Sequence, residues 1–369
     1  MDRFNLAHYV PVLRWKQAEQ IALAQLYQQD SICITPLIEL VPENFIRKDA
    51  KGHISKLSTA EVISRVGAHL YQSWGERPLF IDLWLLSPDL LDARSNNFFT
   101  MLGQYATTLG MSLIPVVGIN RDCDYLSVAH TVIDAHNQGA CLRLTGDDIK
   151  RPNLNKDVSA LLALLRLPPE RIDLMIDFQI VTQSIPDINV LCKLIPDIGK
   201  WRNFMISSGA FPKDLSKLRK NDVYRVDRTD WTLWRDQMVA KSSLIRIPNY
   251  SDYTIQHAKY LERKGRSRYS ASIRYTSDDY WIIMRGEDVF KEDGPRFHQW
   301  PAQAVLLCDM PEYCKDTFSE GDKYIKEMSL QRKQTGTMAT WLTAGINHHM
   351  TYTARQLATL CGSSTVAVS

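Results

Sequence analysis

The chain has 369 residues, 45% hydrophobic and 23% charged, ordinary globular values that exclude wholesale disorder and suit one large domain or a barrel with an appendage. Its 44 basic and 41 acidic residues leave a net charge of +3, which gives no bulk case for nucleic-acid binding. Seven cysteines, at 33, 123, 141, 192, 308, 314 and 361, show no CxxC spacing and form an odd set, so they read as thiols in a reducing compartment and not as a disulfide frame or zinc site. The start, Met1-Asp-Arg-Phe-Asn-Leu6, has no signal-peptide pattern, and apolar clusters such as Leu79–Leu86 are broken by Asp82 and too short to span a bilayer. A cytoplasmic protein with no membrane partner is the expectation.

The first unit is Tyr9-Val-Pro-Val-Leu-Arg-Trp-Lys-Gln-Ala-Glu19, an apolar run that delivers Arg14 and Lys16 to its end and then turns into a helix with Ile21, Leu23 and Leu26. Further apolar runs follow at Cys33–Leu40, Pro78–Trp84, Met111–Gly118, Ala140–Thr145, Ile172–Phe178, Asn203–Ser208 and Leu244–Pro248. Helical patterns precede many of them, at Phe98–Leu109, Cys123–Asn137, Val158–Leu167, Ile188–Ile198 and Thr229–Ala240. Apolar strands separated by amphipathic helices imply a parallel sheet, and eight units in about 250 residues fit a closed TIM-like (β/α) barrel. Val223–Asp227 is a rival for the eighth strand. No GxGxxG or Walker loop follows any strand, which removes the usual open-sheet nucleotide binders.

From Tyr269 the rhythm changes. Ala271–Thr276 and Trp281–Gly286 around Asp278-Asp-Tyr280 read as a β-hairpin. Helices are expected near Ala302–Cys314, Gly321–Gln331 and Met338–Leu360, before a small polar tail from Gly362. The expected division is a barrel over 1–268 and a hairpin with a helical extension over 269–369, packed on the barrel.

In a parallel barrel, polar residues at strand C-termini converge on one face. The candidates there are Lys16, Glu39, Asp82, Arg143, Asp177 and Asp252, with Arg274 as a further anion-binding group from the hairpin. Glu39, Asp82 and Asp177 each interrupt an apolar run, where an unpaired carboxylate costs several kcal/mol. Two readings stand. The charges form a structural network closing the barrel mouth, or they form an anion or divalent-metal site with Glu39, Asp82 and Asp177 as ligands or acid/base groups. No HExxH, GxSxG or nucleophile signature fixes a reaction, so enzymatic activity, hydrolytic or phosphoryl-type, stays open. Cys141 reads as core. His348 and His349 are adjacent on a helix and point about 100° apart, too far to chelate together. Trp231–Arg235 is either a binding surface or helix packing, and the basic run Arg263–Arg268 is a solvated loop or a phosphate contact.

Several stretches together resemble the beta protein family: Tyr9–Lys16 with Glu19, Pro36-Leu-Ile-Glu39, Ile81-Asp82, Ser251-Asp-Tyr253, Ile273-Arg-Tyr275 and Arg285-Gly286. Ser319-Glu-Gly-Asp-Lys-Tyr-Ile325, Gly336-Thr337, Trp341 and Gly345-Ile-Asn-His-His349 complete the set. The resemblance implies a phage- or prophage-borne protein of an anti-phage or toxin–antitoxin-like cassette. It also implies binding to a toxic companion protein called Gop, or to a phage component, which holds the cassette inactive. It brings no catalytic residue with it. The alternative from the residues alone is a TIM-barrel enzyme acting on a phosphorylated small molecule or nucleotide. At the local level, Lys16 is either tied to Glu19 one turn into its helix or aimed at an anion.

Overall fold

The structure, a computed structural model, describes residues 2–49, 53–87, 96–238, 241–260, 269–330 and 334–362. In chain order the strands are β1 (Tyr9–Arg14), β2 (Leu37–Glu39), β3 (Ile46–Lys48), β4 (Ile54–Lys56), β5 (Leu79–Asp82), β6 (Leu113–Val117) and β7 (Ala140–Thr145), then β8 (Ile172–Ile180), β9 (Asn203–Gly209), β10 (Asp222–Asp227), β11 (Asn249–Asp252), β12 (Ser270–Thr276) and β13 (Tyr280–Asp288). The helices are α1 (Gln17–Ala24), α2 (Gln28–Ser31), α3 (Thr59–Trp74), α4 (Asn96–Thr108), α5 (Cys123–His136), α6 (Leu154–Leu165) and α7 (Ile188–Leu194), then α8 (Thr229–Met238), α9 (Gln299–Cys308), α10 (Glu320–Leu330) and α11 (Met338–Leu360).

Eight strands close into a parallel barrel in the order β1-β11-β9-β8-β7-β6-β5-β2. The TIM-like expectation holds, with one strand misplaced: the eighth is β11, just after the apolar run Leu244–Pro248 that was expected to form it. Pro248 has no N–H to give a ladder. The strand that follows, Asn-Tyr-Ser-Asp, pairs in register with β1 and β9 despite its polarity. The rival Val223–Asp227 is a strand too, but it lies outside the barrel. As β10 it pairs antiparallel with β13, giving a three-stranded sheet in the order β10-β13-β12. The hairpin thus takes its third strand from the loop between β9 and α8.

Alternation along each strand divides the barrel into two packing zones. Val12, Phe80, Ile114, Cys141, Met175 and Met205 fill the interior. Leu13, Ile38, Ile81, Leu142, Leu174 and Phe204 face the helix layer instead. The lower end is sealed by Asp173, which accepts from Arg202 Nε at 2.9 Å and Asn203 Nδ2 at 2.7 Å. Phe4 covers that end, its N–H donating to Asn203 Oδ1 at 2.7 Å. Cys141 is fully buried and belongs to this core.

Local signals account for helix boundaries. Ser58 caps α3 reciprocally with Glu61, and Gly75, at φ +71°, ends it. The longest helix, α11, is capped by Thr337 and lies against both the barrel and the hairpin sheet. Its Ile346, Met350 and Leu357 enter the barrel-side core, and Trp341 and Ala344 enter a second core under the sheet. Among the described residues no helix is long and apolar enough to cross a membrane.

The approach of α11 to β12 is close at Gly345, where a Cβ would stand 2.7 Å from Arg274 O and 2.7 Å from Ile255 Cδ1. Alanine is the better helix former by about 1 kcal/mol, but the clash costs about 1–3 kcal/mol. Gly345→Ala is therefore expected to lower stability in urea unfolding, and a gain would show that α11 does not pack so tightly on the hairpin.

Candidate functional site

The inward position at the C-terminal end of a barrel strand is held by Arg14 on β1, Glu39 on β2, Asp82 on β5, Arg143 on β7 and Asp177 on β8. Tyr253 follows β11. Strand register sets Glu39 beside Arg14 on one side and Asp82 on the other. All six side chains are buried, Asp82 and Asp177 completely.

Arg143 is the hub. Its Nη1 donates to Glu39 Oε1 at 2.8 Å and to Asp82 Oδ2 at 2.7 Å. Its Nε and Nη2 both donate to Asp177 Oδ2, at 3.0 and 2.7 Å. Nη2 also donates to the Tyr253 hydroxyl at 2.7 Å, and that hydroxyl donates onward to Asp177 Oδ2 at 2.6 Å. A second guanidinium, Arg121, donates to Asp82 Oδ1 at 2.5 Å. A third, Arg14, stands 3.7 Å from Glu39 Oε2 and donates to Ala258 O. Three carboxylates therefore face three guanidinium groups, and the buried cluster carries no net charge.

The titration of the cluster follows from this geometry. Burial would raise Asp82, but Arg121 and Arg143 hold it below the ordinary carboxylate range. Burial would lower Arg143, yet Tyr253, Asp177, Glu39 and Asp82 together raise it well above its usual value. Glu39 is the least tightly held. Burial raises it despite Arg143 and Arg14, and its Oε2 has no hydrogen-bond partner. The Ser207 and Ser251 hydroxyls, register neighbours on β9 and β11, are buried without partners as well.

Four of the seven sequence candidates come together here: Glu39, Asp82, Arg143 and Asp177. The other three do not. Lys16 turns to Glu43, with Nζ 2.7 Å from Oε1, and lies over the Tyr260 ring. Its ion pair is thus with Glu43 and not with Glu19, which accepts from Gln256 Nε2. Asp252 sits one position out of phase, on the outer face of its strand. It accepts from Tyr9 OH and lies 2.9 Å from His349 Nε2. Arg274 belongs to a separate cleft, donating to Ile255 O at 2.9 Å.

Arg143 supplies the positive charge among Glu39, Asp82 and Asp177. Among the described residues no group of three or more His, Cys, Asp or Glu side chains is placed to hold a metal ion. The sequence candidates left out Arg121, which lies only four residues past the end of β6, within reach of the same strand-end rule. The run Arg263–Arg268 lies outside the described residues.

A second buried network lies between the barrel and the C-terminal elements. His349 Nδ1 is 2.8 Å from Thr276 Oγ1, and His348 bridges Thr276 O and Asp322 Oδ2, each at 2.8 Å. Asp322 also accepts from Tyr275 OH at 2.7 Å and from the Ser319 hydroxyl, which in turn accepts the Asp322 N–H at the start of α10. Both histidines are fully buried. Trp231 and Trp234 are buried too and pack on Tyr250, so that stretch is helix packing.

The fold and the mouth cluster define a closed (β/α) barrel with an appended three-stranded sheet and helices, its strand ends tied by one arginine. The family profile described as Beta protein matches residues 9–355, nearly the whole chain, and the protein belongs to that family. No curated protein matches. Two solved structures are distantly similar. One is SacUVDE, at 8% identity and TM-score 0.30, covering 68% of this chain and 93% of that one. The other is catalytic domain 2 of the Ostrinia furnacalis Group II chitinase, at 11% identity and TM-score 0.27, covering 87% of this chain and 78% of that one. At such TM-scores neither informs the function.

Glu19 offers a test of the electrostatics beside the mouth. It is 1% exposed, and burial raises its pKa to about 7 from 4.5. The native state keeps its proton between those values while the unfolded chain has lost it, so stability falls as pH rises through that window. Glu19→Gln removes this slope. At pH 8 the variant is expected to be more stable than the parent by about 1–3 kcal/mol in urea unfolding. Parallel pH profiles for the two proteins would rule the buried neutral carboxyl out.

Proposed function

We propose that this beta family protein is the restraining component of a phage- or prophage-borne defence cassette, and that it acts by binding its toxic companion protein. The observation that carries this reading is an apolar groove at the barrel rim. Ile180 at the end of β8 and Val190 and Leu194 on α7 are 44%, 52% and 40% exposed. They line a cavity of about 440 Å³ together with Ile149, Phe178 and Leu191. Clustered exposed apolar side chains bordered by polar groups, here Asp147, Lys150 and Gln179, are the usual mark of a protein-binding surface.

The mouth cluster supports the same reading from the other side. Arg143 spends its donors on the protein's own carboxylates and Tyr253, an arrangement suited to holding a rigid barrel. Asp177 touches the floor of the groove, so the cluster fixes the surface on which the partner docks. The enzymatic alternative, turnover of a phosphorylated small molecule at the mouth, would need Lys16 at the cluster, and Lys16 is paired with Glu43.

Co-expression with the companion toxin tests the proposal. The parent protein is expected to rescue growth. Val190→Asp with Leu194→Asp, both at exposed positions, should abolish rescue and complex formation while leaving the unfolding free energy within about 0.5 kcal/mol of the parent. Equal killing with and without the parent protein, or full rescue by the double variant, would refute it.

A further inference from the structure

A second cleft, lined by different elements from the groove, has different chemistry. It lies between the hairpin sheet, the loop after β9 and the start of α11, and has a volume of about 410 Å³. Three cations line it: Lys213 from the loop, Arg274 from β12 and Arg285 from β13. Among the described lining residues the one carboxylate is Asp214, which accepts the Ser216 N–H at 2.8 Å within its own turn. Ser270 and Ser272 add hydroxyls, and Leu215, Met338 and Leu342 add apolar surface on the facing walls.

Arg285 is the telling residue. Its Nη1 donates to two neutral carbonyls, Ser216 O and Leu218 O. Its Nε is buried with no hydrogen-bond partner, and among the described residues no carboxylate pairs with it. Asp222 stands opposite it in the β10–β13 register without an ion pair, so the guanidinium keeps donor capacity for an anion. Arg274 faces the same space, oriented by Ile255 O and by the Phe211 ring 4.9 Å from its guanidinium carbon. Both arginines fall in stretches, Ile273-Arg-Tyr275 and Arg285-Gly286, that the barrel-mouth cluster leaves unexplained.

We infer that this cleft binds a phosphorylated small molecule, its phosphate held by Arg285 and Lys213 and its body lying on Leu215, Met338 and Leu342. Guanidinium and ammonium groups with serine hydroxyls are the donor set that phosphate oxygens need. The volume sits at the lower end for ligand sites, which suits a nucleoside monophosphate or a sugar phosphate and is too small for a folded partner. The inference stands independently of the partner-binding groove, so either can fail without the other.

Calorimetric titration of the full chain at low salt with AMP, glucose 6-phosphate and inorganic phosphate tests it. At least one of the two organic phosphates should bind about tenfold tighter than inorganic phosphate, reflecting contacts to its body. Lys213→Gln, at an exposed position, should weaken that binding by about three- to tenfold with no change in thermal midpoint, and Arg285→Gln by about tenfold or more. If Arg285→Gln fails to fold, Lys213→Gln alone decides. The inference is overturned if neither organic phosphate binds more tightly than inorganic phosphate, or if the folded variants bind as the parent does.

Discussion

The barrel depends on one guanidinium placed where three carboxylates meet. Closing eight strands turns the inward position at each C-terminal end into a ring, and in this chain that ring holds Glu39, Asp82 and Asp177 within a dry interior. Left alone, these groups would repel one another and lose hydration worth several kcal/mol apiece. Arg143 answers both problems, because its planar fork reaches all three from a single strand and Tyr253 fills its remaining donor direction. Arg121 and Arg14 complete the neutralisation from the rim. The lower end repeats the solution on a smaller scale with Asp173, Arg202 and Asn203. Between the two polar seals the interior is apolar and close-packed.

The outer wall on the β1–β11 side is secured differently. Asp252, turned outward, takes the Tyr9 hydroxyl and His349, and the chain of contacts runs on through Thr276 and His348 to Asp322. It joins a barrel strand, the hairpin, α11 and α10 through buried polar groups whose partners all come from distant parts of the chain. With β10 supplying the third strand of the hairpin sheet, the C-terminal elements are bound to the barrel by backbone pairing as well as by side chains. Among the clefts outside these networks are the apolar groove at the β8–α7 rim and the cleft beside the hairpin lined by Lys213, Arg274 and Arg285.

Much of this architecture is legible in the sequence because it rests on period and composition. The run of apolar strands and amphipathic helices identifies the barrel, and Met338–Leu360 is delimited to the residue by its own pattern and the threonine before it. The eighth strand is the exception. Asn249–Asp252 is polar at every second position because its inward side chains line the barrel ends, so no hydrophobic run announces it. The same single-residue phase explains Asp252. Proximity to a strand end is readable from sequence, but the face is set by register, and one step moves a carboxylate from the mouth to the outer wall. Partner choice is the least legible. Lys16 pairs with Glu43, 27 positions away and on a different element, and no local spacing distinguishes that pair from one with Glu19. Arg285 enters from the sequence only within the stretch Arg285-Gly286, and its hold on two backbone carbonyls appears only in the fold.

Arg143 and the carboxylates act as one structural unit at the barrel mouth. A double-mutant cycle on Arg143→Met and Asp177→Asn, read by urea unfolding, measures that directly. Each single change strands a buried partner, and the pair together removes both charges, so the account predicts a coupling of about 2 kcal/mol or more. Additive effects within about 0.5 kcal/mol would mean the two groups stabilise the fold independently and would contradict it.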